Sequence, residues 1–319
     1  MTPPTTGTTG PTPAARPFTR VSPLRLWALA TNTFTQILRM KTLYFLIVFA
    51  VLLVVFGFIM PPPPTSVSGL ASFGGEQELR LLKSVSLGAM SWFTAILAIA
   101  GTAMLLPRDV EDRTLYTILC KPVPRYEYLL GKLGGVLLLV LLCLALMDAA
   151  CCAVLHLKQA SLTRLELQLM ENRGQLTPES ATQITQLYAR YGLDWNFQAA
   201  VLGIFCQAAV LAALTLLIST FATSSLFTIL SGLALLVIGQ GQELARDYIF
   251  SDTSAATQRL IAVGLALFLP DLRQFNVIDE VVAGTAIPTW FLWRMAGIAL
   301  LYLVFYQLLA WFTFSDKEL

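Results

Sequence analysis

Residues 107–132 read PRDVEDRTLYTILCKPVPRYEYLLGK and hold Asp109, Glu111, Asp112, Arg113, Lys121, Arg125, Glu127 and Lys132, in a chain that is only 13% charged. Acids and bases are mixed there without a histidine or a cysteine pair, so the chemistry on offer is charge pairing with another surface. Val110, Leu115, Ile118 and Leu119 recur at intervals that predict a short amphipathic helix, which Pro122 and Pro124 stop. Such a helix suits the docking of a soluble partner. On composition alone a plain charged connector reads the same way.

Bond-making chemistry finds little material elsewhere. No GxxxxGK[ST] is present, and Gly131-Lys132 lacks both the upstream glycine and the following hydroxyl residue of a phosphate-cradling loop. His156 is the single histidine, which excludes HExxH zinc spacing, and GxSxG is absent. These absences argue against a hydrolase and leave open only an unusual intramembrane enzyme. Cys120 falls in the charged segment, while Cys143, Cys151, Cys152 and Cys206 lie in apolar runs and read as small hydrophobes. No metal site is expected. A net charge of +2, with its basic residues scattered, gives no reason to expect a nucleic-acid partner. Asp148 stands alone in an apolar run, where an ionised carboxylate at mid-bilayer costs about 2.5–3.5 kcal/mol. It either lines a pathway or bonds a neighbouring helix near the interface.

The elements that must position these residues are membrane helices. The 319 residues are 56% hydrophobic, where a soluble domain carries about 25% charge. Residues 1–17 are Thr, Pro and Gly and predict a disordered tail, with residues 18–319 forming one all-α polytopic domain. The tail lacks the apolar run of a signal peptide, so the first hydrophobic helix is expected to stay in the protein. Over residues 22–41, Leu26, Leu29, Ala30, Phe34, Ile37 and Leu38 form a stripe with Arg25, Arg39 and Lys41 off it, a basic amphipathic helix suited to the membrane interface. Apolar runs near 43–60, 85–106, 129–154, 197–220, 226–244 and 290–312 predict six spans, the first closed by Pro61–Pro64. Arg16, Arg20, Arg25, Arg39, Lys41, Arg108, Arg113, Lys121, Arg125, Lys132 and Lys317 crowd the short segments on one side, which predicts both termini in the cytoplasm. Arg125, Lys132, Arg39 and Lys41 are then expected to anchor that interface. The 13-residue run 257–269, closed by Pro270, is too short to cross and predicts a re-entrant or interfacial helix on the outer side. Residues 156–196 predict an outer helical hairpin, broken at Asn172-Arg173-Gly174 and restarted by Thr177-Pro178-Glu179. Gly203, Ser219, Ser231 and Gly232 are candidates for close helix approach.

The order Glu111, Thr114-Leu115, Ile118-Leu119, Pro122-Val123, Arg125, Gly131-Lys132 resembles the coupling loop of type-2 ATP-binding-cassette exporter permeases, including the copper-enzyme maturation and gliding-motility groups. Arg113 stands where that group more often has glycine. The amphipathic entry helix, the six expected spans, the outer apolar run and the tail Phe314-Ser315-Asp316-Lys317-Glu318-Leu319 extend the resemblance over nearly the whole chain. It implies a bacterial inner-membrane permease that pairs with a second permease subunit and binds a separate ATPase subunit. ATP and magnesium would reside in that partner, with no cofactor in this chain. Carried over residue by residue, it makes Glu111, Asp112, Arg113, Thr114 and Leu115 the ATPase contacts. An ion-coupled carrier is disfavoured by the scarcity of intramembrane charge and the lack of a broken-helix repeat pair. A non-transporting envelope scaffold is compatible with the same loop. Neither an aromatic cage nor a charged funnel marks a substrate.

Overall fold

A computed structural model describes residues 23–38, 48, 74–105, 124–172, 174, 177–192, 194–222, 224–250 and 269–315. The expected tail 1–17, all of the first span 43–60 but Val48, most of the charged segment and most of the run 257–269 lie outside them. Eight α-helices follow one another among the described residues: α1 (Pro23–Ile37), α2 (Gly74–Ala103), α3 (Arg125–Asn172), α4 (Pro178–Tyr191), α5 (Trp195–Phe221), α6 (Ser225–Phe250), α7 (Ile278–Ala283) and α8 (Thr289–Ser315). A 3-10 turn covers Leu272–Phe275. Five of these helices, α2, α3, α5, α6 and α8, are long and apolar enough to cross a membrane. In hydrocarbon only helices satisfy their own backbone groups, and the described fold is all-helical, as the composition requires. The chain is a membrane-embedded helical bundle.

α5 is the axis of the bundle. It is apolar around its whole circumference and buried along most of its length, from Phe197 to Thr220. α2, α3, α6 and α8 pack around it. Gly232 of α6 permits one close approach: a Cβ there would lie 2.6 Å from Ile99 Cγ2 of α2. Gly203 of α5 permits another, against the backbone carbonyl of Phe275. Both glycines stand among the expected small residues. The segment after Pro270 turns back into the bundle. Leu272, Phe275, Val277 and Val281 are buried, and Gln242 Nε2 of α6 donates to the Leu269 carbonyl at 3.0 Å.

α3 departs from the expectation of a span followed by a separate hairpin helix. It runs unbroken for 48 residues, about 72 Å at 1.5 Å per residue and more than twice a bilayer's hydrocarbon. Polarity rises after Leu155, but the helix holds to Asn172, and Gly174 beyond it has a φ of 66°, which suits a residue without Cβ. α4 then folds back along α3. Its start is the expected one: Thr177 and Ser180 form a reciprocal capping box, with Pro178 in the first turn. α2 likewise begins at Gly74, well before the expected 85.

Candidate functional site

The charged segment delivers the chain into α3, and the described residues show how that landing is held. The Pro124 carbonyl accepts from the Glu127 and Tyr128 amides at 3.0 and 3.3 Å, closing the first turn. Glu127 lies fully buried in that turn, where a helix N-terminus favours negative charge. Arg125 Nη1 donates to the Phe314 carbonyl at 3.0 Å, at the C-terminal end of α8. A cation belongs at such an end, and a charged hydrogen bond of this kind contributes about 1.5–3 kcal/mol. Tyr128 stacks on the Phe314 ring with centroids 6.2 Å apart and planes 20° apart.

One turn further, α1 seats against α3 across a glycine notch. A Cβ on Gly131 would stand 2.5 Å from Leu29 Cβ. On Gly135 it would stand 2.5 Å from Thr33 Cβ and 2.7 Å from the Ala30 carbonyl. Glycines four residues apart leave a groove in which another helix backbone lies close, here occupied by Leu29, Ala30 and Thr33. Thr33 turns its own hydroxyl back to the Leu29 carbonyl at 2.9 Å and so shows α1's partner only its methyl side. Lys132 is 3% exposed; its Nζ lies 3.4 Å from Gln36 Oε1 of α1 and 5.7 Å from the Tyr128 ring centroid. Lys132 thus meets α1 from beneath, and Arg125 meets α8. The two expected anchors are brought together within one joint of three helices, called here the entry end. Glu111, Asp112, Arg113, Thr114 and Leu115, together with Arg39 and Lys41, lie outside the described residues.

Asp148 is elsewhere. It sits level with the first turn of α5, where Gln198 Nε2 donates to both its oxygens at 3.2 Å and the Cys152 thiol donates to Oδ1 at 3.5 Å. This is the helix-bonding alternative, near the opposite end of the bundle. At that hairpin end, a group of charges that sequence reasoning did not single out ties α2, α3 and α4. Lys158 Nζ of α3 meets Glu78 Oε1 of α2 at 2.7 Å, with the carboxylate only 5% exposed. Arg80 lies 4.3 Å over the Tyr191 ring of α4, and the Tyr188 hydroxyl donates to Glu166. Burial, reinforced by the Glu166 carboxylate, pushes the Tyr188 pKa well above its ordinary value. The notch at the entry end was not among the small residues expected from the sequence, although its spacing, Gly131-xxx-Gly135, is a local signal that could have found it. The Lys158–Glu78 pair joins residues 80 positions apart and leaves no local signature.

Among the described residues no group of three or more His, Cys, Asp or Glu side chains is placed to hold a metal. No protein-family model matches the chain, and no curated protein matches it at a significant level.

Proposed function

We propose that the chain is the membrane-spanning permease subunit of an ABC transporter. In this reading a separate ATPase subunit, which holds ATP and magnesium, grips the segment 107–128 through Glu111, Asp112, Arg113, Thr114 and Leu115. Two permease subunits, identical or different, pair in a bacterial cytoplasmic membrane. Both termini and the gripped segment lie on the ATPase side, and the substrate moves outward.

The observation that supports this reading is the joint at the entry end. The described end of the segment, from Pro124, runs directly into α3, and the first turns of α3 are held to α8 by Arg125 and Tyr128 and to α1 by the glycine notch. A pull that reaches Pro124 would therefore move α3 together with both neighbours. The chain supplies no nucleotide-cradling loop, so hydrolysis belongs to the partner.

The length of α3 beyond the bundle favours a second reading, a non-transporting scaffold that carries force to a partner on the far side. Purification of tagged protein from its native membrane separates the two. The permease reading expects an ATP-hydrolysing subunit to be co-captured, and expects capture to fail in the double variant Glu111→Lys, Arg113→Glu. Under the scaffold reading, changes within 161–191 are the damaging ones and the loop variant keeps its phenotype. Transport that continues with ATP depleted and an ion gradient held would instead establish a carrier.

A further inference from the structure

We propose that the bilayer seats between two tryptophan girdles, with α8 as a principal lipid-contacting ridge, and that the α2–α3–α4 end of the molecule stands beyond it in water. This inference concerns only where lipid meets the protein and stands whether or not the transport reading holds.

Trp290 and Trp293 are 61% and 81% exposed at the start of α8, and Trp311 is 42% exposed near its end. The 21 residues from Trp290 to Trp311 span about 31 Å of helix, against about 30 Å of hydrocarbon in a bilayer. Between them Leu300, Leu301, Val304 and Leu308 are more than half exposed, and no charged residue occurs from Met295 to Phe314. Indole rings favour the headgroup level, where an apolar body meets a polar rim.

Each girdle has a second helix in it. At the hairpin end, Asn196 Oδ1 accepts from the Ile287 amide at 3.1 Å, which sets the exposed Trp195 of α5 beside the start of α8. At the entry end, Leu29 lies on Gly131 and Tyr128 on Phe314, so the exposed Trp27 of α1 shares the level of Trp311. The basic residues Arg25 and Arg125 stand at that end of the described bundle, partly exposed, and their charge complements anionic headgroups.

The same frame decides which charges are immersed. Asp148 falls at the hairpin-end girdle, since it bonds Gln198, three residues along α5 from Trp195. Residues 149–172 of α3 then extend about 36 Å further. Glu78, Lys158, Glu166, Tyr188 and Arg80 are all on that extension or beside it, so the Lys158–Glu78 pair is a contact of an aqueous lobe. Trp92 supplies an internal depth marker. Its neighbour Ser91 bonds Gln207, twelve residues along α5 from Trp195, and its ring is 56% exposed. The frame therefore immerses Trp92 well below the girdle.

Brominated-lipid quenching in reconstituted vesicles tests the frame. Variants that retain a single tryptophan, the other five changed to Phe, are compared in lipids brominated near the carbonyl or near the methyl end of the acyl chain. Trp290, Trp311 and Trp27 should be quenched more by the shallow bromines, and Trp92 more by the deep ones. Should a single-tryptophan variant fail to fold, Leu165→Cys and Val304→Cys in the otherwise unchanged chain give a second measurement. An impermeant maleimide, applied with both vesicle faces open, should label Leu165→Cys above the unsubstituted background and leave Val304→Cys at background. Deep quenching of Trp311, or a Trp92 shallower than Trp290, overturns the proposal, as does a protected position 165 or a labelled position 304.

Discussion

The two ends of the bundle are joined by opposite means. At the entry end, backbones are brought into contact by removing side chains: Gly131 and Gly135 admit Leu29, Ala30 and Thr33, and an aromatic pair caps the seam. At the hairpin end, helices are held apart at side-chain length and bridged by Lys158–Glu78, Arg80–Tyr191 and Tyr188–Glu166. Apolar surface gives no driving force where the surroundings are equally apolar, so membrane helices associate through close packing. Where water begins, charge becomes tolerable and selects its partners. The contrast means that salt and alkaline pH should act more on the hairpin end, with its ion pair and its tyrosine–carboxylate bond, and that added volume in the glycine notch should act on the entry end.

The largest effect is expected from Gly135→Leu. The added side chain meets the Ala30 backbone, which has no rotamer to retreat into, and overpacking there costs about 3 kcal/mol or more. α1 should lose its seat, read as rapid proteolytic cutting near Leu38 in nanodiscs. Gly134→Ala, whose Cβ would sit at 3.6 Å from Ala30 Cβ, should leave cutting unchanged. Next comes Lys158→Met, which strands the buried Glu78 carboxylate. After discounting for partial exposure of the lysine the loss is about 2–3 kcal/mol, and Lys158→Met, Glu78→Gln should recover part of it in thermal melts. Arg125→Gln, which removes the charged bond to the Phe314 carbonyl, should cost about 1–2 kcal/mol and should raise hydrogen exchange in the last turn of α8.

The smallest effect is pH-dependent. A hydroxyl whose folded pKa is raised above the ordinary 10.0 supports the fold while it stays protonated. That support is full below pH 10 and shrinks as pH climbs toward the folded value. The lobe should therefore loosen above pH 10 in limited proteolysis. Tyr188→Phe should start about 1 kcal/mol weaker at neutral pH and lose the alkaline slope.

Helices that begin and end with the hydrocarbon were legible. α5 and α8 start within two residues and end within three of the apolar runs 197–220 and 290–312, because for them the apolar run and the helix coincide; α6 starts one residue before the run 226–244 but continues six residues past it, to Phe250. α2 and α3 were under-read for one reason: each continues out of the bilayer, where hydropathy falls while helix propensity persists. Gln159, Ala160, Leu162, Glu166 and Gln168 are all compatible with helix, so polarity ended the apolar signal without ending the helix. The break at Gly174 and the restart at Thr177 were readable from local backbone chemistry. In the site, Arg125 and Lys132 were picked out by type, but their partners Phe314 and Gln36 lie 189 and 96 positions away. Composition carries no record of such distances.

The unbroken course of α3 makes it an amplifying pointer. With its base fixed by α1 and α8, a tilt of about five degrees sweeps its tip through about 6 Å, since the helix is about 72 Å long. A displacement too small to resolve at Arg125 thus becomes readable by a spin label at Asn172 measured against a second label within the bundle of the same chain, and anything touching that tip senses the state of the opposite side of the protein.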